Sequence, residues 1–205
     1  MKPFVTLGMA LLLCGMLCGC MNSLRLKDRA IVQALGIDRS EGGYQLTLQY
    51  FVPTSSGEGD SRTNRNGLLS ASGDTLSEAI ENASRSYGRE VFFGSNKVIV
   101  LGQSVAEMDA HDPIDYLNTH HQLHPSMILL LAEGEAADIV GDEKSDAAEI
   151  EKLAETALHS HRMTGGTLLD AVTQMKTGSL ELPILRQGEE GFLLEGAGLL
   201  DGEKL

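Results

Sequence analysis

The amino terminus constrains this chain more than any other stretch, because Leu17-Cys18-Gly19-Cys20 closes a short apolar segment in the manner of a lipobox. Lys2 gives a positive start, Phe4 to Met16 is apolar apart from Thr6 and small glycines, and Gly19 leaves room for a signal peptidase beside Cys20. The run falls short of the roughly 20 apolar residues that a bilayer span needs. Residues 1–19 therefore read as a lipoprotein signal peptide, with Cys20 as the acylated first residue of the mature chain. A plain secretory signal cleaved nearby, leaving Cys20 a free thiol, is the alternative.

This assignment uses up every cysteine. Cys14 and Cys18 leave with the signal, and Cys20 is consumed by lipid. No disulfide is left to hold the fold, so an ordinary hydrophobic core must do it, and 42 % hydrophobic residues suffice for one. Cysteine catalysis is excluded. A formal net charge of −13 repels nucleic acid and anionic lipid headgroups alike. Nucleic acid is thus not a partner, and the membrane is held through the lipid anchor. Residues 20–26 form a lipidated Cys and tether spanning at most about 20 Å when extended.

Residues 27–205 read as an amino-terminal α+β domain followed by the start of an incomplete further region. Ala30 to Ile37 is almost wholly apolar, as in a strand buried on both faces. Asp38 to Gly43 reads as a turn. Tyr44 to Val52 alternates, which predicts a strand with Gln45, Thr47 and Gln49 on a wet side. Pro53 to Gly67 has almost nothing to bury and reads as a mobile loop. Thr75-Leu-Ser-Glu78 is a capping box opening a helix with Leu76, Ala79, Ile80, Ala83 and Tyr87 inside. Lys97 to Leu101 and Met127 to Ala132 are further apolar strands. Helices are expected from Asp112-Pro113 toward His124, around Glu135 to Val140, from Asp146 to about His161, and after Thr167 with Leu168, Leu169, Val172 and Met175 inside. Two final strands fall around Gly191 to Leu200. The order of elements is too irregular for a doubly wound sheet, and the fold class is α+β, with mixed β-sheets and packed helices.

Several of these segments resemble the lipoprotein C subunits of spore germinant receptors, the Ger(x)C family. The resemblance is carried by Cys20, Asp28-Arg-Ala-Ile-Val32, Leu35-Gly-Ile-Asp38 and the alternating strand to Val52. It continues through Leu76-Ser-Glu-Ala79, Phe93-Gly94, Asn96 to Gly102, Asp115-Tyr-Leu117 and Leu182-Pro183. Met21 to Leu24 replaces the family's aromatic and charged run after the Cys, and Asn118 to His124 carries histidines where the family tends to have arginines. The resemblance implies the family's amino-terminal α+β domain, a place at the spore inner membrane, and integral membrane subunits as partners in nutrient-triggered germination. Family members continue past the equivalent of Leu205, so the chain is expected to correspond to their amino-terminal part only.

Candidate chemistry is sparse. On a continuous helix His120 and His124 would lie one turn apart, as zincin ligands do, but no Glu stands beside the first. His120, His121 and His124 therefore read as a polar helix end rather than a metal site. Asp142, Lys144 and Asp146 fail as a calcium loop, since Lys and Ala147 stand where a ligand and a Gly are needed. Gly196-Ala-Gly198 is followed by no helix, so it reads as a strand or bulge, not a dinucleotide loop. No nucleophile elbow or Walker loop occurs. The expected protein is no enzyme and binds no cofactor or metal; Cys20 is its one assigned site, and a nutrient ligand is left open. Two alternatives are a solute-binding lipoprotein serving a transporter, which would want two α/β lobes, and a lipid-anchored metallohydrolase using the histidines.

Overall fold

The apolar run that begins at Ala30 becomes an inner strand of a single mixed sheet in the computed structural model, which describes residues 29–52, 65–142, 145–160, 163, 165–188 and 191–201. In chain order the elements are β1 (Arg29–Ser40), β2 (Gly43–Val52), β3 (Arg65–Gly73), α1 (Leu76–Tyr87), β4 (Glu90–Phe92) and β5 (Val98–Leu101). These are followed by α2 (Gln103–Met108), α3 (His111–Thr119), β6 (Ile128–Ala132), α4 (Ala136–Val140) and α5 (Ala147–His159). α6 (Leu168–Met175) and the hairpin of β7 (Ser179–Gly188) and β8 (Gly191–Asp201) complete them. The sheet order is β3-β2-β1-β5-β6-β7-β8, with β4 pairing the start of β1. Strands β1, β5, β6 and β7 run parallel, and antiparallel hairpin partners extend the sheet at both ends.

Helices cover both faces, which is why the central strands are apolar on both sides. On one face Leu35, Ile37, Ile99, Leu101, Leu129 and Leu182 pack against α1, α2, α3 and α6. On the other, Ala34, Val98, Val100, Leu130 and Leu185 meet α4 and α5. The helix starts follow the sequence. Thr75 Oγ1 accepts from the Glu78 N–H at 3.2 Å, while the Glu78 carboxylate reaches back to the Asp74 N–H at 3.1 Å. Asp146 caps α5 and accepts from the Ala148 N–H at 2.9 Å. Thr167 and Asp170 form a complete capping box on α6.

Four expectations need correction. Asp38 is not in a turn: β1 runs on to Ser40 and the turn is confined to residues 41–42. The expected wet side of β2 is largely covered, because α4 lies over it and the start of α5 hydrogen-bonds Gln49, leaving Thr47 and Gln49 buried and Gln45 half-buried. Arg65 to Gly67 belongs to β3, an element the sequence reading lacked, along with β4 and α2; the rest of the expected loop, 53–64, lies outside the described residues. Leu169 is 56 % exposed, and Ala171 takes the inward position on α6 instead. β3 escapes sequence reading because Asn66-Gly67 and the four small residues from Ser70 to Gly73 dilute its alternation. Gly67 faces Tyr50 across the ladder, and a Cβ there would run into the tyrosine ring.

Candidate functional site

Cys20 lies outside the described residues. The histidines do not form the pair that a helix would give. α3 stops at Thr119, and His120 caps it with extended backbone at φ −74° and ψ 117°, so His120 and His124 share no helix face. His120 lies edge-on to Phe93 at 5.5 Å between ring centroids and stacks on His121 at 5.1 Å, and its Nδ1 accepts a long bond from the Gln122 N–H at 3.4 Å. Among the described residues no three His, Cys, Asp or Glu side chains gather as metal ligands do.

Burial, and secondarily the neighbouring His121, hold His120 below the ordinary imidazole value. The neutral form is therefore the one the fold selects. Its contribution is fully present above pH 6.5 and is lost as the pH falls through the lowered value. The urea midpoint should fall more between pH 7 and pH 5 in the natural chain than in His120→Phe, which keeps the aromatic contact with Phe93. Equal falls would show that His120 charges without cost.

Two other polar side chains, buried within strands, fix the helices over the second face. Asp38 is 3 % exposed. Its Oδ1 accepts from the Ala136 N–H at 2.7 Å and its Oδ2 from the Ala137 N–H at 2.9 Å, so it caps α4 from 98 residues away. Burial raises its pKa above the usual carboxylate value, although the two N–H donors pull the other way. Gly36 and Gly102 make room: a Cβ at Gly36 would press Ala136 and Val140 at 3.3 Å, and one at Gly102 would overlap Asp38 Oδ1. The Gly-Ile-Asp signature of β1 is thus a structural latch. Gln49, 1 % exposed, does the same for α5, donating from Nε2 to the Ser145 carbonyl at 2.7 Å and accepting at Oε1 from the Ala147 N–H at 3.1 Å.

The chemistry that remains open to a ligand or partner is a cleft of about 740 Å³ at the carboxyl ends of β6 and β7, walled by α2 and β8. Ala106, Ala110, Leu131, Ile184 and Gly198 make its surface apolar, and a Cβ at Gly198 would displace the end of the Leu131 side chain. Glu107, Asp109, Glu133 and Glu195 line it with carboxylates. Arg186 lies among them, with its Nη2 2.8 Å from Glu195 and its Nε 3.8 Å from Glu133, and His111 Nδ1 is 3.6 Å from Asp109 Oδ1. Met108 and Leu199 stand 62 % and 69 % exposed beside it. Nothing in the sequence singled out these positions except Gly198, and the strand-and-bulge placement of Gly196 to Gly198 holds: Gly196 has φ +68° at the irregularity where β7 and β8 change register. The arrangement offers apolar contact, hydrogen bonds and negative charge.

Residues 22–187 match the family model described as the spore germination protein N-terminal domain. Over 138 residues the chain is 27 % identical to the "Putative spore germination protein YfkR" of Bacillus subtilis (strain 168), a match covering 63 % of this chain and 35 % of that protein. It is 29 % identical over 100 residues to the spore germination protein KC of the same organism, covering 46 % of this chain and 25 % of that protein. The chain thus spans well under half the length of these relatives. A comparison with the crystal structure of the GerBC protein gives 21 % identity and a TM-score of 0.33, covering 82 % of this chain and 48 % of that one. With four-fifths of its length inside the family model, the chain belongs to the spore germination protein N-terminal domain family.

Proposed function

We propose that this chain acts as a membrane-anchored lipoprotein subunit of a spore germinant receptor, working with integral membrane subunits in nutrient-triggered germination. Residues 1–19 are the signal peptide, Cys20 carries the lipid, residues 20–26 are the tether, and the α+β domain begins at residue 27. No catalytic step is assigned to it. The observation that carries the proposal is the family match, which starts at residue 22, two positions after the lipobox cysteine. Among the described residues no helix is long and apolar enough to cross a membrane. A two-lobed solute-binding lipoprotein is less well supported, because one continuous sheet carries every described strand.

The test is Cys20→Ser. Stable anchoring takes two acyl chains or one chain with a basic patch, and a chain of net charge −13 offers no such patch. The natural chain should incorporate labelled palmitate and float with membranes, whereas the variant should do neither. Retention of Cys20→Ser in the membrane after a high-salt wash would remove the anchor from the proposal. Failure of the lipidated chain to co-purify with integral membrane subunits of a germinant receptor would remove the receptor.

A further inference from the structure

We infer that the domain stands on an anionic bilayer by one end of its sheet, the end where β1 and β4 begin and β2 and α1 finish, with Tyr50, Tyr87, Arg89 and Phe92 set against the lipid headgroups. The inference rests on the lipid proposed above for Cys20. The net charge of −13 is not spread evenly over the fold. At the opposite end, where β1 turns into β2 and β5 and β6 finish, Glu41, Asp74, Glu107, Asp112, Glu135 and Asp138 are all exposed. At the end near the tether, residues 29–32, 50–52, 66–67 and 81–92 carry Arg29, Arg85 and Arg89 against Glu81 and Glu90. Both glutamates are paired, Glu90 with Arg29 at 3.2 Å and Glu81 with Arg85 at 3.0 Å. This end is thus close to neutral. It is no basic patch that could hold the chain unaided, but it is where the fold keeps its carboxylates away from a surface.

What this end offers the headgroups is aromatic rings and arginine stems. Tyr50 and Tyr87, both half-buried, meet edge-on at 4.7 Å between ring centroids. The Arg89 guanidinium lies 5.4 Å from the Tyr87 ring, and that of Arg29 lies 4.9 Å from the Phe92 ring. Amphipathic rings and long cationic side chains are the groups that settle at headgroup level. The loop after α3 reaches the same end, where the Phe93 N–H donates to Gln122 Oε1 at 2.9 Å, and it brings exposed His121 and His124 but no acid. Reach decides the rest. The two ends of the 12-residue β1 lie about 36 Å apart at about 3.3 Å per residue, whereas the chain from Cys20 to Arg29 extends at most about 30 Å. The acidic end cannot be turned down onto the bilayer. Lying flat is within reach, but it would bring exposed carboxylates within a Debye length, about 8–10 Å, of anionic headgroups, and standing upright keeps them beyond it.

The chain contains no tryptophan, so a single one reports its own site. Ser86→Trp, in the last turn of α1, and Glu41→Trp, in the turn after β1, both replace exposed residues at opposite ends. Each lipidated variant is placed in vesicles of phosphatidylcholine and phosphatidylglycerol whose acyl chains are brominated close to the headgroup. The Ser86→Trp emission should shift to the blue and be quenched by the bromines, and the Glu41→Trp emission should do neither. Adding Arg89→Glu to the first reporter makes the net charge of this end negative and should weaken its quenching. Quenching at both sites would mean that the domain lies flat, and quenching at neither, in chains that carry labelled palmitate, that it hangs clear of the bilayer. Either result would overturn the orientation while leaving the anchor in place. Absence of palmitate would instead overturn the anchor, and the orientation with it. Quenching indifferent to Arg89→Glu would remove that arginine from the contact. A blue shift of Ser86→Trp that appears only when membrane subunits share the vesicle, without quenching by bromine, would assign this end to a protein partner.

Discussion

Asp38→Ala should destabilise the fold by about 3 kcal/mol, the sum of a lost helix cap and buried N–H groups left without an acceptor. Ala136 and Ala137 have their N–H groups on this one carboxylate, and Asp38 itself is sealed from water. Gly102→Ala should cost a similar amount by a different route, because the new methyl would occupy the space of Asp38 Oδ1 and lie 3.2 Å from the Ala136 nitrogen. The two costs should not add. Once Asp38 is truncated the methyl has somewhere to go, so the double variant should be about 2 kcal/mol more stable than additivity predicts. Urea unfolding of the four proteins measures this, and strict additivity would mean that Gly102 serves some other contact.

The same carboxyl has a pH signature opposite to that of most native carboxylates. Its pKa is raised in the folded chain, chiefly by burial and further by Glu135 and Asp138, against the pull of its two backbone donors. A raised value means that the folded state holds the proton more tightly than the unfolded chain does. The corresponding stabilisation is complete below the unfolded value of 3.8 and is lost as the pH rises through the folded one. Asp38→Asn removes this slope while keeping one acceptor. Its deficit relative to the natural chain should therefore be largest in mild acid and shrink toward neutrality. A deficit that grew with pH would reverse the sign.

Gln49→Leu is expected to cost about 2–3 kcal/mol although it replaces an amide with an apolar side chain of similar size in a buried place. Both functions of the amide are in use at the start of α5, one on the Ser145 carbonyl and one on the Ala147 N–H. Leaving either unpaired in the interior costs about 1–3 kcal/mol, and the added apolar burial recovers part of it. Hydrogen exchange should localise the damage, with amides of Ala147 to Ile150 losing protection before those of β1. Gln49→Glu keeps the acceptor for Ala147 but sets a carboxylate against a carbonyl, so it should be worse than Leu at neutral pH. A stability within about 0.5 kcal/mol of the natural chain for Gln49→Leu would mean that water enters and replaces the amide.

These two residues mark where sequence reading reached its limit. Local chemistry located the helix starts at Thr75, Asp146 and Thr167, since each cap acts on N–H groups two or three residues away. The buried strands Val98–Leu101 and Ile128–Ala132 were equally plain, because four or five apolar residues in succession fit only a place covered on both faces. The resemblance in Leu35-Gly-Ile-Asp38 pointed to the right family, yet the residues did not disclose why they belong together. A polar residue at the end of an apolar run looks like the edge of a turn, and Gln49 in an alternating strand looks like the wet side. Only the packing of α4 and α5, which meet β1 and β2 across nearly 100 residues of chain, shows that both are interior caps.

The cleft shows the same limit at the other end of the sheet. Its walls come from α2, β6, β7 and β8, stretches far apart in the chain that no local pattern ties together. The sequence by itself determined the elements whose stability is local: capped helices and doubly buried strands. The tertiary structure alone decided strand order, the covered second face of β2, and the separation of His120 from His124. The physical reason is range. Caps and periodicity are settled within one or two turns, whereas pairing and burial are chosen among partners far apart in the chain, where many registers satisfy the same pattern and only global packing selects one.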